Sequence, residues 1–362
     1  MTKMNQSLVQ ESNFRPELIS LRRRMLILSQ AQLAENLGIQ QGSLSKIEQG
    51  LLSANEAVVA KLANSLRCPV SFFYQNEREY GPPMSAHPMY RKKVSASQKV
   101  LDGIVAELNV RIAHIRKFLS AVDFEPELPF PRYDLDDFDG NASQIAENVR
   151  KAWYIPRGPI KSLSEYVERA GCLVVHCDFG VAKIDGVSYR VAGLPPVIFL
   201  NKNQPADRMR FSLAHELGHL VLHDYPSPNM EAEANEFASA LLMPESDIAA
   251  DLNGITIEKA AYMKPVWKVS MAALIFRAKT LNQIDSYKSE YLWRQMSSHG
   301  YRLREPASLD FPPEETTLMS ALVKNLTENL GFSDDDLVNT LHLHFDELSQ
   351  MYGLKRGLRL VK

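Results

Sequence analysis

Three residues within one short segment carry the clearest chemical signal in the sequence. His215 and His219 are four positions apart, and Glu216 lies between them. On a helix this spacing puts both imidazoles on one face, where they can share one zinc ion beside the carboxylate. Such a carboxylate can act as a general base that takes a proton from water. The motif therefore predicts a zinc-dependent hydrolytic site with Glu216 as the catalytic residue.

A zinc site of this kind needs a third protein ligand, and the residues near the motif leave it open. His223 continues the four-residue spacing, but it would lie about 12 Å along a straight helix from His215, which is too far for one ion. The next helical segment offers three glutamates instead. Its apolar periodicity makes Glu236 the weakest candidate and does not separate Glu231 from Glu233.

A second signal, of a different kind, lies near the N-terminus. The segment SQAQLAENLGIQQGSLSKIEQG reads as two helices, with a capping box at Ser29 and a tight turn at Gly38. The second helix begins near Gln41, and its polar side chains, Ser43 and Lys46 among them, are free to face a groove of DNA. An amide side chain there can pair with adenine, and a lysine can bind guanine or phosphate.

Composition bounds the class of protein. The chain has 362 residues, of which 45% are apolar, and these supply core material for two or three domains. The formal charge of -2 gives no overall basic field, so any DNA contact must be local. Cys68, Cys172 and Cys177 are too scattered for a disulfide framework and are expected to be free buried thiols. We find neither a signal peptide nor a membrane span, and therefore expect a cytoplasmic protein.

The order of apolar patterns predicts an α+β multidomain fold with helical ends. A helical run is followed by a Pro- and Gly-containing linker and a long amphipathic helix at about 97–122. Strand-like runs at 172–179, 187–193 and 196–201 then lie between helices. The predicted segments are an all-α DNA-binding domain at 1–77, the linker and long helix at 78–130, an α+β zincin-like domain with a small sheet at 131–250, and a mostly helical region of unknown role at 251–362.

The N-terminal segment resembles the XRE-type helix-turn-helix family over residues 16–76, including the ending LANSLRCPVSFFY. The resemblance implies that Gln30 contacts the DNA backbone, that Gln41 and Lys46 face bases, and that Arg23 pairs with Glu48 inside the domain. Between Arg15 and Arg67 there are seven basic and four acidic residues. This excess is modest, so we expect a homodimer on double-stranded operator DNA.

The central segment resembles the ImmA/IrrE metallopeptidases. The resemblance rests on RMRFSLAHELGHLVLH and EAEANEFASALLMP and extends over roughly residues 145–245. It implies that His215 and His219 bind zinc, that Glu216 is the catalytic base, and that Glu233, directly before Ala-Asn, is the third ligand. Manganese is a possible alternative metal.

The combined resemblance implies a regulator that cleaves a specific repressor or antitoxin-like protein and so relieves repression, with no membrane partner. Two other readings stay open. One is a regulator whose metal site senses zinc or a small ligand and cleaves nothing. The other is an interaction component of a toxin–antitoxin or defence operon. Glu216 favours the peptidase, because a sensor needs metal ligands but no general base.

Overall fold

The structure is a computed structural model that describes residues 14–83, 98–180 and 184–355. The chain divides into two compact units. The first contains the described parts of Met1–Pro82, Lys92–Phe124 and Ser320–Lys362, and the second those of Pro83–Arg91 and Glu125–Met319. The second unit is thus inserted, in chain order, into the first. The basic cluster of the predicted linker, Arg91 to Lys93, lies outside the described residues.

The first unit begins with four short helices and one long helix. They are α1 (Glu17–Met25), α2 (Gln30–Leu37), α3 (Gln41–Glu48), α4 (Glu56–Ser65) and α5 (Gln98–Leu119), with a 3₁₀ turn at Val70–Tyr74 before α5. The predicted capping box is present: Ser29 Oγ accepts a hydrogen bond from Gln32 N, and Gln32 Oε1 accepts one from Ser29 N. Gly38 ends α2 with φ at 69°, a left-handed conformation that glycine adopts without strain.

The long helix α5 packs closely on the end of α1. A Cβ atom at Gly103 would lie 2.9 Å from the backbone oxygen of Arg24 and 3.1 Å from Cγ1 of Ile27. Only glycine permits this approach. The helix predicted at 97–122 therefore forms part of the core of the first unit.

The second unit holds a small sheet among helices. Its elements are α6 (Ala142–Ala152), α7 (Leu163–Arg169), β1 (Leu173–Cys177), β2 (Gly186–Tyr189), β3 (Val197–Asn201), α8 (Ala206–Leu222), α9 (Met230–Leu242), α10 (Glu245–Leu252), α11 (Ile257–Trp267), α12 (Met271–Thr280) and α13 (Ser286–Ser298), with 3₁₀ turns at Asp136–Phe138 and Ala307–Leu309. The strand order is β1-β3-β2, with β3 parallel to β1 and antiparallel to β2. The expected α+β class, with a small sheet and helical ends, is confirmed. The second predicted strand run is too long, because β2 ends at Tyr189.

Helix α8, which carries His215, Glu216 and His219, packs under this sheet and against α9. Gly218 makes the close approach to α9 possible, since a Cβ atom there would lie 3.0 Å from Cδ1 of Phe237 and 3.3 Å from Cα of Ala234. The glycine inside the motif therefore positions the helix that carries the candidate glutamates.

The end of the chain returns to the first unit. Helix α14 (Leu318–Lys324) contains the boundary and continues into a π turn at Asn325–Asn329, and α15 (Asp334–Leu341) and α16 (Phe345–Tyr352) follow. The guanidinium of Arg22, which is fully buried, donates from Nη1 and Nη2 to the two carboxylate oxygens of Glu347 at 2.7 and 2.6 Å. The predicted region 251–362 is thus shared between the two units. The proposed domain boundaries stay predictions.

Two further expectations concern cysteines and membranes. All three cysteines lie outside disulfides and are buried, as predicted. Burial raises the pKa of Cys68 to about 12, so its reactive thiolate form is scarce. Among the described residues, no helix combines the length and the apolar composition needed to cross a bilayer.

Candidate metal centre and DNA-contacting helix

The structure brings the three motif residues together on one face of α8. Nε2 of His215 and Nε2 of His219 are 3.0 Å apart. His215, Glu216 and His219 each place one potential ligand atom within 4.8 Å of the other two. Burial lowers the pKa of His215, which favours the neutral imidazole that a metal ion requires.

Strand β2 holds Glu216 in place. Ser188 Oγ donates a hydrogen bond of 2.7 Å to Glu216 Oε2. A Cβ atom at Gly186 would approach Cγ of Glu216 to 3.0 Å and Cδ2 of Leu200 to 3.1 Å, so a larger residue at 186 would push on the glutamate side chain. Sequence reasoning missed Ser188 and Gly186, because one serine and one glycine in a short strand carry no spacing signal.

Glu231, at the start of α9, lies against both imidazoles. Its Oε1 is 3.2 Å from His219 Nε2, and its Oε2 is 3.6 Å from His215 Nε2. Within the described residues, the buried Oε1 makes no hydrogen bond of good geometry despite this short distance. An orphaned carboxylate oxygen facing two ring nitrogens is the arrangement that a bound cation would satisfy.

Glu233 contacts a different histidine from the two that Glu231 faces. Its Oε2 is 3.0 Å from His223 Nε2, and His223 Nδ1 is 3.1 Å from His219 Nδ1. The structure therefore does not bring Glu233 to the pair of Nε2 atoms, and its geometry favours Glu231 as the third ligand. Glu236 points to α6, where it accepts hydrogen bonds from the backbone nitrogen and the hydroxyl of Ser143 at 3.0 and 2.9 Å.

The hydrogen-bond network assigns protons to the ring of His219. The carboxylate of Glu233 only accepts, so His223 Nε2 carries the proton of that bond. Burial lowers the pKa of His223, which favours its neutral form with a lone pair on Nδ1. His219 Nδ1 then donates to His223, and in the neutral ring that a metal ion binds this leaves the lone pair on Nε2.

The same reasoning applies to His215. Its Nδ1 is 3.1 Å from Oδ1 of Asn235, an acceptor, so this nitrogen carries the proton and Nε2 carries the lone pair. In these tautomers the Nε2 atoms of both rings offer lone pairs beside the carboxylate of Glu231. This donor set fits a divalent cation of the zinc type.

In the first unit, α3 presents polar side chains as the sequence predicted. Gln41 and Lys46 are exposed and Ser43 is half-buried, while Leu44 and Ile47 are buried in the core. The polar side chains of α3 thus lie on the side of the helix that is turned away from the core.

The carboxylate of Glu48 accepts hydrogen bonds from both Arg23 and Gln30. The predicted pair is confirmed, because Arg23 Nε donates to Glu48 Oε1 at 2.7 Å. Gln30 Nε2 donates to the other oxygen of Glu48, also at 2.7 Å, so the amide of Gln30 is already engaged inside the domain. A phosphate contact by this amide would compete with that bond.

Comparison with known families finds two matches. Residues 19–73 match the family described as helix-turn-helix, and residues 167–279 match the family described as IrrE N-terminal-like domain. The first match contains α2 and α3. The second contains all three strands together with α8 and α9, and it continues past the predicted boundary at residue 250. No curated protein matches the chain.

Proposed function

This chain joins an XRE-type helix-turn-helix domain to an IrrE/ImmA-like metallopeptidase domain, and from this premise we propose that it is a transcriptional regulator with zinc-dependent endopeptidase activity. One observation carries the proposal. The Nε2 atoms of His215 and His219 and the carboxylate of Glu231 converge beside Glu216. These three groups can hold a metal ion by themselves, so the carboxylate of Glu216 is not needed as a ligand. A site that only sensed a metal would have no use for it.

The proposed zinc ligands are His215, His219 and Glu231. Two imidazoles and one carboxylate are the ligand set of catalytic zinc sites that keep a fourth position open. Imidazole ligands favour zinc over manganese, which prefers oxygen ligands. The earlier candidate Glu233 takes a different role in this proposal: through His223 it orients the ring of His219 and raises its basicity.

The residues of the chain divide the reaction between them. When bound, the metal ion lowers the pKa of a water molecule and polarises the peptide carbonyl. Glu216 accepts the proton of the attacking water and returns it to the amine of the leaving peptide. Ser188 holds Oε2 of Glu216, so the carboxylate keeps one orientation during both transfers. Gly186 leaves the space that this orientation requires.

The proposed substrate is a repressor or antitoxin-like protein whose cleavage relieves repression. Helix α3 would hold the regulator at its operator as a homodimer, with Gln41, Ser43 and Lys46 in the DNA groove. Because operator DNA lies in the cytoplasm of a bacterial cell, the proposal places the protein there.

The peptidase is tested with the full-length protein loaded with zinc or manganese. Wild type and Glu216→Gln are incubated with the proteins encoded beside this gene, and fragments are identified by mass spectrometry. Glutamine preserves the shape of the side chain and cannot accept the proton, so the variant should keep its metal and lose cleavage. Equal cleavage by both proteins would refute the peptidase. If no neighbouring protein is cut, the non-proteolytic regulator becomes the better description.

DNA binding is tested by fluorescence anisotropy with fragments from the gene's own locus. Each lost base contact should weaken binding by about 1–3 kcal/mol, so Gln41→Ala and Lys46→Ala should both reduce affinity. Lys61, exposed on α4, provides the matched control Lys61→Ala. The DNA assignment fails if wild type binds no fragment at low salt.

A further inference from the structure

A cavity of about 480 Å³ in the second unit shares a wall with the candidate metal centre. Phe211 of α8 and Asn235 of α9 belong to its lining. Phe211 precedes His215 by about one helical turn, and Asn235 is hydrogen-bonded to the ring of His215 at 3.1 Å. One side of the cavity is therefore built from the elements that position a proposed zinc ligand.

The rest of the lining includes charged residues such as Arg208, Arg302 and Arg304, but most of its surface is apolar and the cavity is partly open. The apolar part includes Ala272, Ala273 and Phe276 of α12 and a loop that contains Leu303. Phe276 is 56% exposed and Leu303 is 95% exposed, so both present apolar surface to solvent at the cavity. Leaving such groups uncovered is unfavourable, and a bound apolar group would remove them from water.

The floor of the cavity is fixed by a buried ion pair. Lys264 Nζ, which is almost fully buried, lies 2.7 Å from Glu305 Oε2, and it also contacts Asp207 at the start of α8. Glu305 accepts hydrogen bonds from the backbone nitrogens of Met271 and Ala272 at 3.1 and 3.2 Å. This network ties the loop to α8, α11 and α12, so the cavity is formed before any ligand binds.

We propose that this cavity is the specificity pocket of the peptidase and receives a bulky apolar side chain of the protein substrate. The inference rests on the proposed function. A metal–nitrogen bond, one imidazole ring and a hydrogen bond of 3.1 Å separate the metal from this wall by about 7 Å in total. Two residues of an extended peptide span this distance at about 3.3–3.6 Å each, so a side chain within two positions of the scissile bond can reach the wall. The apolar part of the lining selects the side chain, which in turn covers the exposed surfaces of Phe276 and Leu303.

The substrate is unidentified, so the test uses two dipeptide hydroxamates that differ only in carrying leucine or glycine. The hydroxamate group binds the metal, and the side chain probes the cavity. Binding to zinc-loaded full-length protein is measured by calorimetry. Burial of a leucine side chain should make the leucine probe at least about tenfold tighter than the glycine probe.

Two variants locate this difference in the cavity. Ala273→Trp fills it and should abolish the preference for leucine without changing the affinity for the glycine probe. Phe276→Asp is a surface change that avoids repacking, and it should reduce the preference by placing a charge at the opening. Ala250→Trp puts the same bulk on the exposed face of α10 and should behave as wild type.

The outcomes distinguish a failure of the specificity-pocket proposal from a failure of the metal-site proposal. Equal affinity of the two probes for the wild-type protein would refute the specificity pocket, but it would not contradict the proposed peptidase function. If neither probe binds the metal-loaded protein, both the pocket and the metal site as proposed are overturned. If the leucine probe binds metal-free protein as tightly as zinc-loaded protein, the cavity binds small molecules independently of the metal. That result rejects the proposal that the cavity is a substrate pocket.

Discussion

Glu233 is bonded to His223 and not to the two imidazoles of the motif. The separation is clear, since its Oε2 lies 3.0 Å from His223 Nε2, whereas Glu231 lies within 3.6 Å of both His215 and His219. Two glutamates in the first turn of α9 therefore have different partners, and their removal should have different consequences.

The first prediction compares the zinc affinity of Glu231→Ala and Glu233→Ala. Loss of a direct ligand should weaken zinc binding severely, while loss of an outer partner typically costs about 10- to 100-fold. Competition with a chromophoric chelator measures both. Glu236→Ala is the control, because Glu236 binds Ser143 and should not affect the metal. Stoichiometric, wild-type zinc binding by Glu231→Ala, with loss in Glu233→Ala, would restore the assignment made from resemblance.

The second prediction concerns Gly218. Alanine is favoured in a helix by about 1 kcal/mol, but here its Cβ would press on Phe237 and on the backbone of Ala234. We expect Gly218→Ala to destabilise the protein by about 1–3 kcal/mol and to weaken zinc binding as α9 shifts. Denaturant unfolding and chelator competition measure the two effects.

A second substitution checks the cause. Phe237→Leu removes ring atoms at the point of contact, so the double variant should recover part of the zinc affinity. Gly42→Ala on α3, where no atom lies within 4 Å of the added Cβ, should not destabilise the protein. If Gly218→Ala behaves like Gly42→Ala, the close approach of α8 and α9 does not limit this site.

The third prediction concerns Glu347. Its carboxylate receives two hydrogen bonds from the buried guanidinium of Arg22, and Glu347→Gln would leave that charge without a counter-ion. We expect a loss of about 1–3 kcal/mol in the free energy of unfolding of the first unit. Glu17, which pairs with Arg15 at the surface, supplies the control Glu17→Gln with a loss below about 1 kcal/mol. Equal losses would show that burial of the pair does not matter.

The fourth prediction concerns acidification of the first unit. Burial, with the positive charge of Lys117, lowers the pKa of His114 to about 3, and burial likewise lowers the pKa of His342 to about 4. Unfolded histidine titrates near 6.5, so between that pH and 4 the unfolded chain binds more protons and stability falls as pH falls.

The size of this effect follows from the pKa difference. At pH 5 the fully buried His114 should cost about 2 kcal/mol relative to pH 7, and the partly exposed His342 should cost less. Urea unfolding at both pH values measures the loss, and His342→Gln should reduce it because glutamine does not titrate. A stability of the first unit that is unchanged between pH 7 and pH 5 would contradict the buried neutral state of these rings.

The parts of the structure that were predicted well are those with local causes. The start of α2 at Ser29 and its end at Gly38 follow from hydrogen bonds and backbone angles within a few residues. The pairing of His215 with His219 follows from helical spacing alone. Motif chemistry and capping therefore transfer directly from sequence to structure.

The rest depends on contacts between distant parts of the chain. Periodicity placed Glu231 and Glu233 on opposite shoulders of one apolar stripe, and only the packing of α9 on α8 distinguishes them. Ser188 reaches Glu216 from a strand 28 positions earlier. Glu347 reaches Arg22 across 325 positions, and no local pattern could indicate that contact.

The insertion of the second unit also sets an order during synthesis. Helices α1 to α5 leave the ribosome first, the whole second unit follows, and α15 and α16 come last. Since domains generally fold as they emerge, the second unit can be complete while Arg22 still lacks the carboxylate of Glu347. A nascent chain can therefore form the candidate metal centre before the first unit has received its last helices. Under the proposed function, a chain stalled late in translation would keep the peptidase and lack a fully stabilised DNA-binding unit.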